Sequence, residues 1–273
     1  MPDSPTSAAP DAPRRLADHQ VLALHGPDAV RFAQAQFMSD VAALADGQWQ
    51  WSGWLTPKGR VVALFALLRL DAERLWLVLP DVAAEALAAQ LKRFVFRSKV
   101  VVEARPELVV SGSFKASGTA QGAASAMGDD GSVALDLSGD GGSRTLVIST
   151  APAVEDPDAQ AAWRSFDIAH GLPRLDAAQA DRWTPQQLSL ERLRAFSVKK
   201  GCYPGQEIVA RTHFLGKAKR ELVLLAADVA FAVGEDDVVS VAAHGGQHCA
   251  LAVRAMEREP DPRERPLLEG LAR

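Results

Sequence analysis

The chain has 273 residues, of which 48% are hydrophobic and 23% charged, the balance of an ordinary globular protein with room for two or three packed units. Its net charge of −4 excludes a general basic field that would recruit nucleic acid or anionic membranes. Two cysteines are too few for a disulfide framework, for paired zinc knuckles or for an iron–sulfur cluster held by this chain alone. No apolar run approaches the roughly 18 residues of a membrane helix, so the composition favours a cytoplasmic protein.

Apolar spacing predicts a mixed α and β region in the first half of the chain. Residues 1–18, rich in Pro, Ala, Ser and Asp, predict a disordered leader. The elements that follow are predicted in this order: a helix over 28–44, a strand holding Trp49, Trp51 and Trp54, a buried strand over 61–70, a hairpin strand over 75–79, a helix from 80–81 to about 93, and strands at 100–102 and 108–110. Apolar residues three and four apart indicate the helices, and short apolar runs indicate the strands.

Glycine, alanine and serine dominate residues 111–142, which predicts loops and short strands there. The elements predicted in this stretch and beyond are strands at 133–137 and 145–150, helices over 156–169 and 186–196, and strands at 221–226, 238–242 and 250–255, the last two joined by a Gly245-Gly246 turn. A charged tail is predicted over 258–273. The pattern is that of an α+β protein: residues 19–215 form a larger region of two lobes with a boundary near 105–110, and 216–273 form a small β module with its tail.

The densest chemistry lies in residues 199–207, which read K-K-G-C-Y-P-G-Q-E. Tyr203-Pro204-Gly205-Gln206 predicts a β-turn, since proline fixes φ at the second position and glycine supplies a positive φ at the third. A turn here presents Cys202 at its edge. The alternative is a small apolar cysteine that packs inside a tight turn, and the flanking charges favour the functional interpretation.

The residues around the thiol limit its chemistry. Lys199, Lys200 and Arg211 are cations that favour the thiolate form of Cys202. Nucleophilic catalysis also needs a base and a group that orients it; His213 is the nearest histidine, and no cysteine–histidine–asparagine pattern is present. Redox or metal-transfer chemistry needs only one accessible thiolate. The pattern therefore favours a thiol that pairs transiently with iron or with another thiol.

Residues 200–207, K-G-C-Y-P-G-Q-E, resemble the hallmark of the folate-binding YgfZ family, K-G-C-[YF]-x-G-Q-E. This family is a branch of the superfamily that includes the glycine-cleavage T-protein, an aminomethyltransferase. The agreement continues through 208–211 to Gly216 and 219–220, and weaker agreement lies upstream at 24–28, 39–41, 57–60 and 171–173. The resemblance covers most of the chain in the family's order.

The resemblance implies a T-protein-like arrangement of several units around a central cavity that binds tetrahydrofolate or a derivative, with a small C-terminal β-barrel. It implies a role in iron–sulfur cluster assembly or repair, in support of cluster-dependent enzymes including tRNA-modifying ones. The implied partners are folate and iron–sulfur proteins or assembly factors, with no direct contact to nucleic acid or membrane. Cys202 is the implied functional thiol, which would bind iron only transiently because the chain holds no cluster of its own. The implied motif residues around it are Lys199, Lys200, Gly201, Tyr203, Gly205, Gln206, Glu207 and Arg211.

The chain departs from the T-protein pattern where that enzyme carries carboxylates. Gly59-Arg60-Val61 has no acid at the place of the one that supports chemistry on folate, and Ala169 stands where a glutamate holds the pterin. Ser189 also stands near a usual family asparagine. Without the general acid or base we do not expect an enzyme. Two alternatives stay open: a folate-dependent one-carbon transferase that moves aminomethyl or methyl groups, and a folate-independent protein scaffold.

Four residues are predicted to contact folate by the resemblance and by their chemistry. Trp54 offers a ring that stacks on the pterin or aminobenzoyl group, although a tryptophan strand that packs the core is the alternative. Lys58, Arg60 and Arg211 offer cations for the folate carboxylates, with a solvated turn as the alternative for the first two.

One further cluster of metal-ligand residues lies near the end of the chain. His244, His248 and Cys249 fall within six residues. A hairpin turn with exposed histidines is the favoured interpretation over a metal site.

Overall fold

The computed structural model describes residues 12–216 and 218–273, which form three β-sheets and four α-helices. The strands are β1 (Arg14–Arg15), β2 (His19–His25), β3 (Gln48–Leu55), β4 (Val61–Asp71), β5 (Arg74–Pro80), β6 (Val101–Ala104), β7 (Val109–Ser113), β8 (Ala126–Met127), β9 (Val133–Asp136), β10 (Thr145–Ser149), β11 (Val154–Glu155), β12 (Arg220–Ala227), β13 (Val238–His244), β14 (Gln247–Ala255) and β15 (Glu264–Arg265). The helices are α1 (Ala29–Gln36), α2 (Ala84–Lys92), α3 (Pro157–Ala169) and α4 (Gln206–Phe214). No helix in the described part of the chain is long and apolar enough to cross a membrane.

The first sheet is antiparallel and has the strand order β3-β4-β5-β2-β6. Its strand β4, which lies between β3 and β5, is buried on both faces. Ala63 and Phe65 belong to the core that this sheet shares with α1 and α2, whereas Leu64 and Leu68 belong to a second core that the other two sheets also contribute to. Burial on both faces explains the unbroken apolar run of β4 and confirms the buried strand predicted over 61–70.

The second sheet has the order β11-β1-β7-β10-β9-β8. In it Arg14 pairs with Gly112 of β7 and with Val154 of β11. Residues 12–18 were predicted as part of a disordered leader, but they belong to the fold, because β1 lies between β11 and β7 in this sheet. Residues 1–11 lie outside the described residues. The division of the chain into lobes near 105–110 stays a prediction.

The third sheet is antiparallel with the order β13-β14-β12-β15. Gly245 and Gly246 have φ of 59° and 77° and join β13 to β14, which confirms the predicted turn. The described strands of this sheet do not close into the barrel that the resemblance implied, so the barrel is not confirmed. The segment predicted as a charged tail is instead built into the fold: β15 pairs with β12, and Leu271 is buried with its carbonyl bound by the Trp51 indole N–H at 2.7 Å.

The first helix is shorter than the predicted range of 28–44, which was based on the spacing of apolar residues. Helix α1 ends at Gln36, and Phe37 is extended, with φ −97° and ψ 155°. Beyond it the Gln34 side-chain oxygen accepts the N–H groups of Val41 and Ala42 at 2.7 and 3.0 Å. A side chain therefore satisfies backbone donors that a longer helix would have satisfied.

The helix predicted over 186–196 is wrong, because successive turns occupy this stretch. Ser189 and Arg194 have φ of 49° and 54°, which a right-handed helix does not allow. The Ser189 hydroxyl accepts the N–H of Leu222 at 3.1 Å, so this residue is bound to the third sheet. Leu190 and Leu193 are still buried, which is why their spacing resembled a helix.

The other two predicted helices are present. Helix α2 begins at Ala84 rather than near residue 81, because Asp81 has φ of 61° and cannot start a helix. Helix α3 matches the prediction over 156–169, since the Asp156 carboxylate caps its first turn by accepting from the N–H groups of Asp158 and Ala159.

Candidate functional site

The thiol lies on the predicted turn. The Gln206 N–H donates to the Tyr203 carbonyl at 3.1 Å, and Gly205 has φ 78° and ψ 1°. These values are those of the third residue of a type II turn, which confirms the prediction and explains the glycine. Helix α4 starts directly after it. Cys202 is exposed at the edge of this turn, as is Gly201, where an added Cβ would meet nothing within 4 Å.

Lys200 points away from solvent and fastens the turn to the first sheet's helical layer. Its ammonium donates to the carbonyls of Gln34, Phe37 and Ser39 at 2.6, 2.5 and 2.9 Å. These carbonyls end helix α1 and begin the loop after it, where partial negative charge collects. An ammonium has three N–H donors, so all three are used here. The expectation that Lys200 favours the thiolate of Cys202 stays a prediction, whereas its role as a clamp is visible in these contacts.

Burial has a cost for this ammonium. Lys200 is only 6% exposed, and removal from water lowers its pKa from 10.5 to about 8, against the opposing charge of Asp40. The Tyr203 ring lies 4.9 Å from the ammonium and adds a cation–π contact. Lys200 is therefore still mostly charged at neutral pH.

Three more side chains fix the turn from the other side. The Tyr203 hydroxyl donates to the Ser197 carbonyl at 3.1 Å, and burial raises the pKa of Tyr203 to about 12. The Gln206 amide donates to the Lys200 carbonyl at 3.0 Å. The Ser197 hydroxyl accepts the N–H groups of Lys199 and Lys200, both at 3.2 Å. The turn is thus held while its thiol remains exposed.

Two glycines bring a distant turn against the thiol-bearing one. A Cβ added at Gly205 would lie 2.6 Å from the Gly59 Cα and 2.6 Å from the Thr56 carbonyl oxygen. A Cβ added at Gly59, whose φ is +69°, would lie 2.9 Å from the Ile208 Cβ. Only glycine allows backbones to approach this closely. The predicted folate residue Lys58 is next to Gly59 in the chain, so its backbone lies near the Cys202 turn, and its contact with folate stays a prediction.

The other predicted folate residues are placed differently from one another. Arg211 on α4 and Lys58 are exposed. The Arg60 guanidinium donates to the Arg182 carbonyl at 2.7 Å and to the Gln187 amide oxygen at 3.2 Å, which holds it against the turns after residue 180.

Trp54 is buried in the core of the first sheet, in edge contact with Phe94 at 5.9 Å between ring centroids. Its burial agrees with the core interpretation, and the predicted contacts of all four residues with folate stay predictions. Of the remaining motif residues, Glu207 is exposed in the first turn of α4, where a carboxylate favours the helix dipole.

Comparisons with curated proteins and solved structures show which proteins the whole chain is similar to. No protein-family model matches the chain. It is 30% identical over 242 residues to the tRNA-modifying protein YgfZ of Klebsiella pneumoniae (strain 342), a match that spans 81% of this chain and 74% of that protein. The chain belongs to the YgfZ family. The protein of the same name from Serratia proteamaculans (strain 568) is 30% identical over 230 residues, 77% of this chain and 69% of that one.

The fold of this YgfZ-family chain is similar to that of the glycine cleavage system aminomethyltransferase T from Bartonella henselae. The TM-score is 0.67, with 16% sequence identity over 89% of this chain and 78% of that one. The likeness confirms the T-protein-like fold at the level of its mixed sheets and few helices. The central folate cavity is not confirmed. Ala169, which stands where the T-protein pattern has its pterin-binding glutamate, is the last residue of α3. The Ala169 carbonyl accepts the Leu268 N–H at 2.9 Å.

Sequence reasoning missed a buried ion network in this YgfZ-family chain. The Arg174 guanidinium donates to the carboxylates of Asp81, Asp18 and Asp167 at 2.7, 2.5 and 3.1 Å, and Arg144 donates to Asp167 at 2.8 Å. Burial alone would lower the pKa of Arg174, but the three carboxylates outweigh it and raise the pKa above its usual value. The network joins the start of β2, through Asp18, and the end of β5, through Asp81, to Asp167 of α3. The agreement with the family at 171–173, directly before Arg174, was the only signal that pointed near it.

His244, His248 and Cys249 lie on the hairpin of β13 and β14, the arrangement that the sequence favoured over a metal site. His244 pairs with Gln247 across the Gly245-Gly246 turn, and its ring nitrogen lies 3.6 Å from the Asp158 carboxylate. Within residues 12–216 and 218–273, no group of three or more histidine, cysteine, aspartate or glutamate side chains is arranged to hold a metal ion.

Proposed function

We propose that this chain is a folate-binding accessory factor for iron–sulfur cluster assembly or repair, and that it supports cluster-dependent enzymes including tRNA-modifying ones. The observation that carries the proposal is an exposed Cys202 on a turn that Lys200, Tyr203 and Gln206 hold rigidly. Membership of the YgfZ family, whose curated relatives are named tRNA-modifying proteins, supports the same role.

The proposed chemistry of Cys202 is a transient bond. The thiol gives its proton to solvent and binds iron, or attacks a partner's disulfide and releases the partner's other sulfur as a thiolate. Both steps need access and a fixed position, and the clamped turn supports both. A single thiol is a weak permanent ligand set, which suits transfer better than storage.

The proposed folate contacts are the cations beside this turn. Lys58 and Arg211 are exposed and suit the carboxylates of a folate glutamate. Arg60 lies beside them but is partly committed to its own backbone and amide contacts. The positions of the T-protein carboxylates hold Arg60–Val61 and Ala169 here, which supports binding without turnover.

The decisive experiment replaces the two cysteines one at a time in cells that lack the native protein. Cys202→Ser is expected to abolish support for a cluster-dependent tRNA-thiolating enzyme. Cys249→Ser, on β14, is the matched control and is expected to support it fully. Equal support by both variants would refute the role of Cys202, provided that thermal melting shows both variants folded.

Calorimetry with tetrahydrofolate tests the ligand separately. Binding heat and a raised melting temperature are expected with the purified chain. Absence of both would favour the folate-independent scaffold, and steady product formation from tetrahydrofolate and an aminomethyl donor would favour the one-carbon transferase.

A further inference from the structure

The loop that follows α2 carries four positive charges and no acid. Residues 92–99 read K-R-F-V-F-R-S-K, and we call them the basic loop. Lys92, Arg93, Arg97 and Lys99 are all exposed, and none of them makes an ion pair with a carboxylate in the part of the chain that the structure describes. Because the chain as a whole has a net charge of −4, these charges stand out against a negative remainder. Positive charge gathered in this way attracts a negatively charged partner.

The end of a helix explains only part of this charge. Lys92 is the last residue of α2 and Arg93 is its C-cap, where cations compensate the negative end of the helix dipole. Arg97 and Lys99 lie beyond the helix. Asp28 is the carboxylate that contacts this part of the backbone, and it accepts the Lys99 N–H at 2.7 Å and pairs with the side chain of Arg31 at 3.1 Å. The fold therefore gives the side chains of Arg97 and Lys99 no charged partner of their own.

A tight turn places an aromatic ring at the tip of the basic loop. The Ser98 N–H donates to the Val95 carbonyl at 2.8 Å, which closes a β-turn with Phe96 and Arg97 at its two central positions. Phe96 has φ of 43°, a value that glycine, asparagine or aspartate adopts far more readily than a bulky aromatic residue. Phe96 is also 87% exposed. Neither backbone preference nor burial favours phenylalanine here, and strained positions of this kind cluster at functional sites.

The base of the basic loop is fixed, whereas its tip is free. Val95 packs against the core of the first sheet, and the ring of Phe94 meets that of Trp54 edge-on, with 5.9 Å between the ring centroids. The Lys99 carbonyl accepts the Asp28 N–H at 3.2 Å. A loop held at its base loses little conformational entropy when a ligand binds to its tip.

Single-stranded nucleic acid matches an exposed ring among cations better than other anionic partners do. Its phosphates pair with cations, and its unpaired bases stack on aromatic side chains. An anionic bilayer is a broad plane, so it would also face the negative remainder of the chain and be repelled by it. An acidic protein segment supplies negative charge without the regular alternation of charged and flat groups.

We propose that the basic loop is a binding site for single-stranded nucleic acid. Phe96 stacks on a base, and Arg93, Arg97 and Lys99 contact the neighbouring phosphates. The site goes beyond the proposed function, since it uses neither Cys202 nor folate. It departs from the expectation of no direct contact with nucleic acid, which followed from the resemblance and not from this loop.

Three labelled probes of similar charge test the chemistry of this site. The first is a fluorescein-labelled single-stranded RNA of ten uridines, the second is an abasic sugar–phosphate strand of the same length, and the third is a peptide of ten glutamates. Fluorescence anisotropy at low salt is expected to give the RNA a dissociation constant of about 0.1 mM or tighter. The RNA is expected to bind at least about fivefold more tightly than either comparison, because only the RNA has bases to stack.

Substitutions at the tip separate stacking from a merely apolar contact. Phe96→Leu is expected to weaken RNA binding at least about fivefold, whereas Phe96→Trp keeps the affinity. Phe96→Gly is expected to weaken it equally and to keep the melting temperature, since glycine adopts the positive φ without strain. Phe114→Leu is the matched control: Phe114 is 48% exposed after β7 of the second sheet, and its replacement is expected to leave the affinity unchanged.

The salt dependence of binding tests the phosphate contacts. Arg97→Gln is expected to make the slope of log affinity against log salt concentration shallower by about 0.7, the value of one lost phosphate contact on a single strand. An unchanged slope would show that Arg97 does not contact a phosphate and would overturn the proposed arrangement.

Four other outcomes overturn the proposal. RNA binding weaker than about 0.1 mM leaves the loop without this ligand. Equal binding of the three probes shows attraction to any polyanion, and full affinity of Phe96→Leu shows that no base stacks on the ring. Vesicles of phosphatidylcholine and phosphatidylserine that bind the native chain and displace the RNA would show that the loop serves a membrane.

Discussion

Replacing Lys200 by methionine removes the clamp that holds the Cys202 turn to the end of α1. Hydrogen bonds from a charged donor contribute about 1.5–3 kcal/mol each, so three of them contribute about 5–9 kcal/mol. Burying the ammonium opposes this: the drop in its pKa from 10.5 to about 8 corresponds to about 3 kcal/mol. The net loss expected for Lys200→Met at pH 7 is therefore about 2–6 kcal/mol.

Urea denaturation followed by tryptophan fluorescence measures this loss. With a slope of about 2–3 kcal/mol per molar urea, the unfolding midpoint of Lys200→Met should fall by about 1–3 M. Lys199→Met is the matched control, since the exposed Lys199 side chain makes no contact of this kind and exposed substitutions change stability by about 0.5 kcal/mol or less. Equal midpoints for the two variants would refute the clamp.

Three further predictions concern pH, the glycine contact and the ion network. The unfolded chain keeps the Lys200 proton to higher pH than the folded chain does. The unfolding free energy of the native chain, relative to that of Lys200→Met, should therefore rise by up to about 3 kcal/mol between pH 8 and 10.5. Urea titrations at several pH values measure this difference, and a flat or falling difference contradicts the lowered pKa. Gly205→Ala should lose about 2–4 kcal/mol in the same assay, since its Cβ adds a left-handed strain and meets backbone at 2.6 Å, whereas Gly201→Ala has open space and should change stability by under about 0.5 kcal/mol. Asp167→Asn should cost about 3–5 kcal/mol by leaving the buried guanidinium of Arg174 short of one charge, and a midpoint equal to that of the native chain would show that the network does not stabilise the fold.

Local patterns predicted much of the secondary structure because they act within a few residues. The proline and glycine of residues 203–206 specify their turn, the Asp156 cap specifies the start of α3, and the apolar run of 61–70 specifies a strand buried on both sides. The helix expected over 186–196 was wrong because buried leucines at three-residue spacing occur in successive turns as well as in helices.

The sequence predicted the turn that carries the candidate thiol but not the contacts that hold this turn. The hallmark residues pointed to an exposed Cys202, and their pattern pointed to the family. The side chain of Lys200 was expected beside the thiol. Its ammonium instead donates hydrogen bonds to backbone carbonyls that lie 161 to 166 residues earlier in the chain. No local rule chooses among the acceptors that a long side chain can reach.

By itself, the sequence determined the turn, the placement of a lone thiol at its edge and the family to which the chain belongs, since backbone preferences and a specific eight-residue motif depend only on neighbouring residues. Tertiary structure alone decided which groups surround that turn. The contact between Gly59 and Gly205, the Lys200 clamp and the Arg174 network all join residues that are far apart in sequence. Such contacts arise only when the three sheets pack together, because the partner of a buried charge or of a bare backbone is chosen by what else is buried beside it.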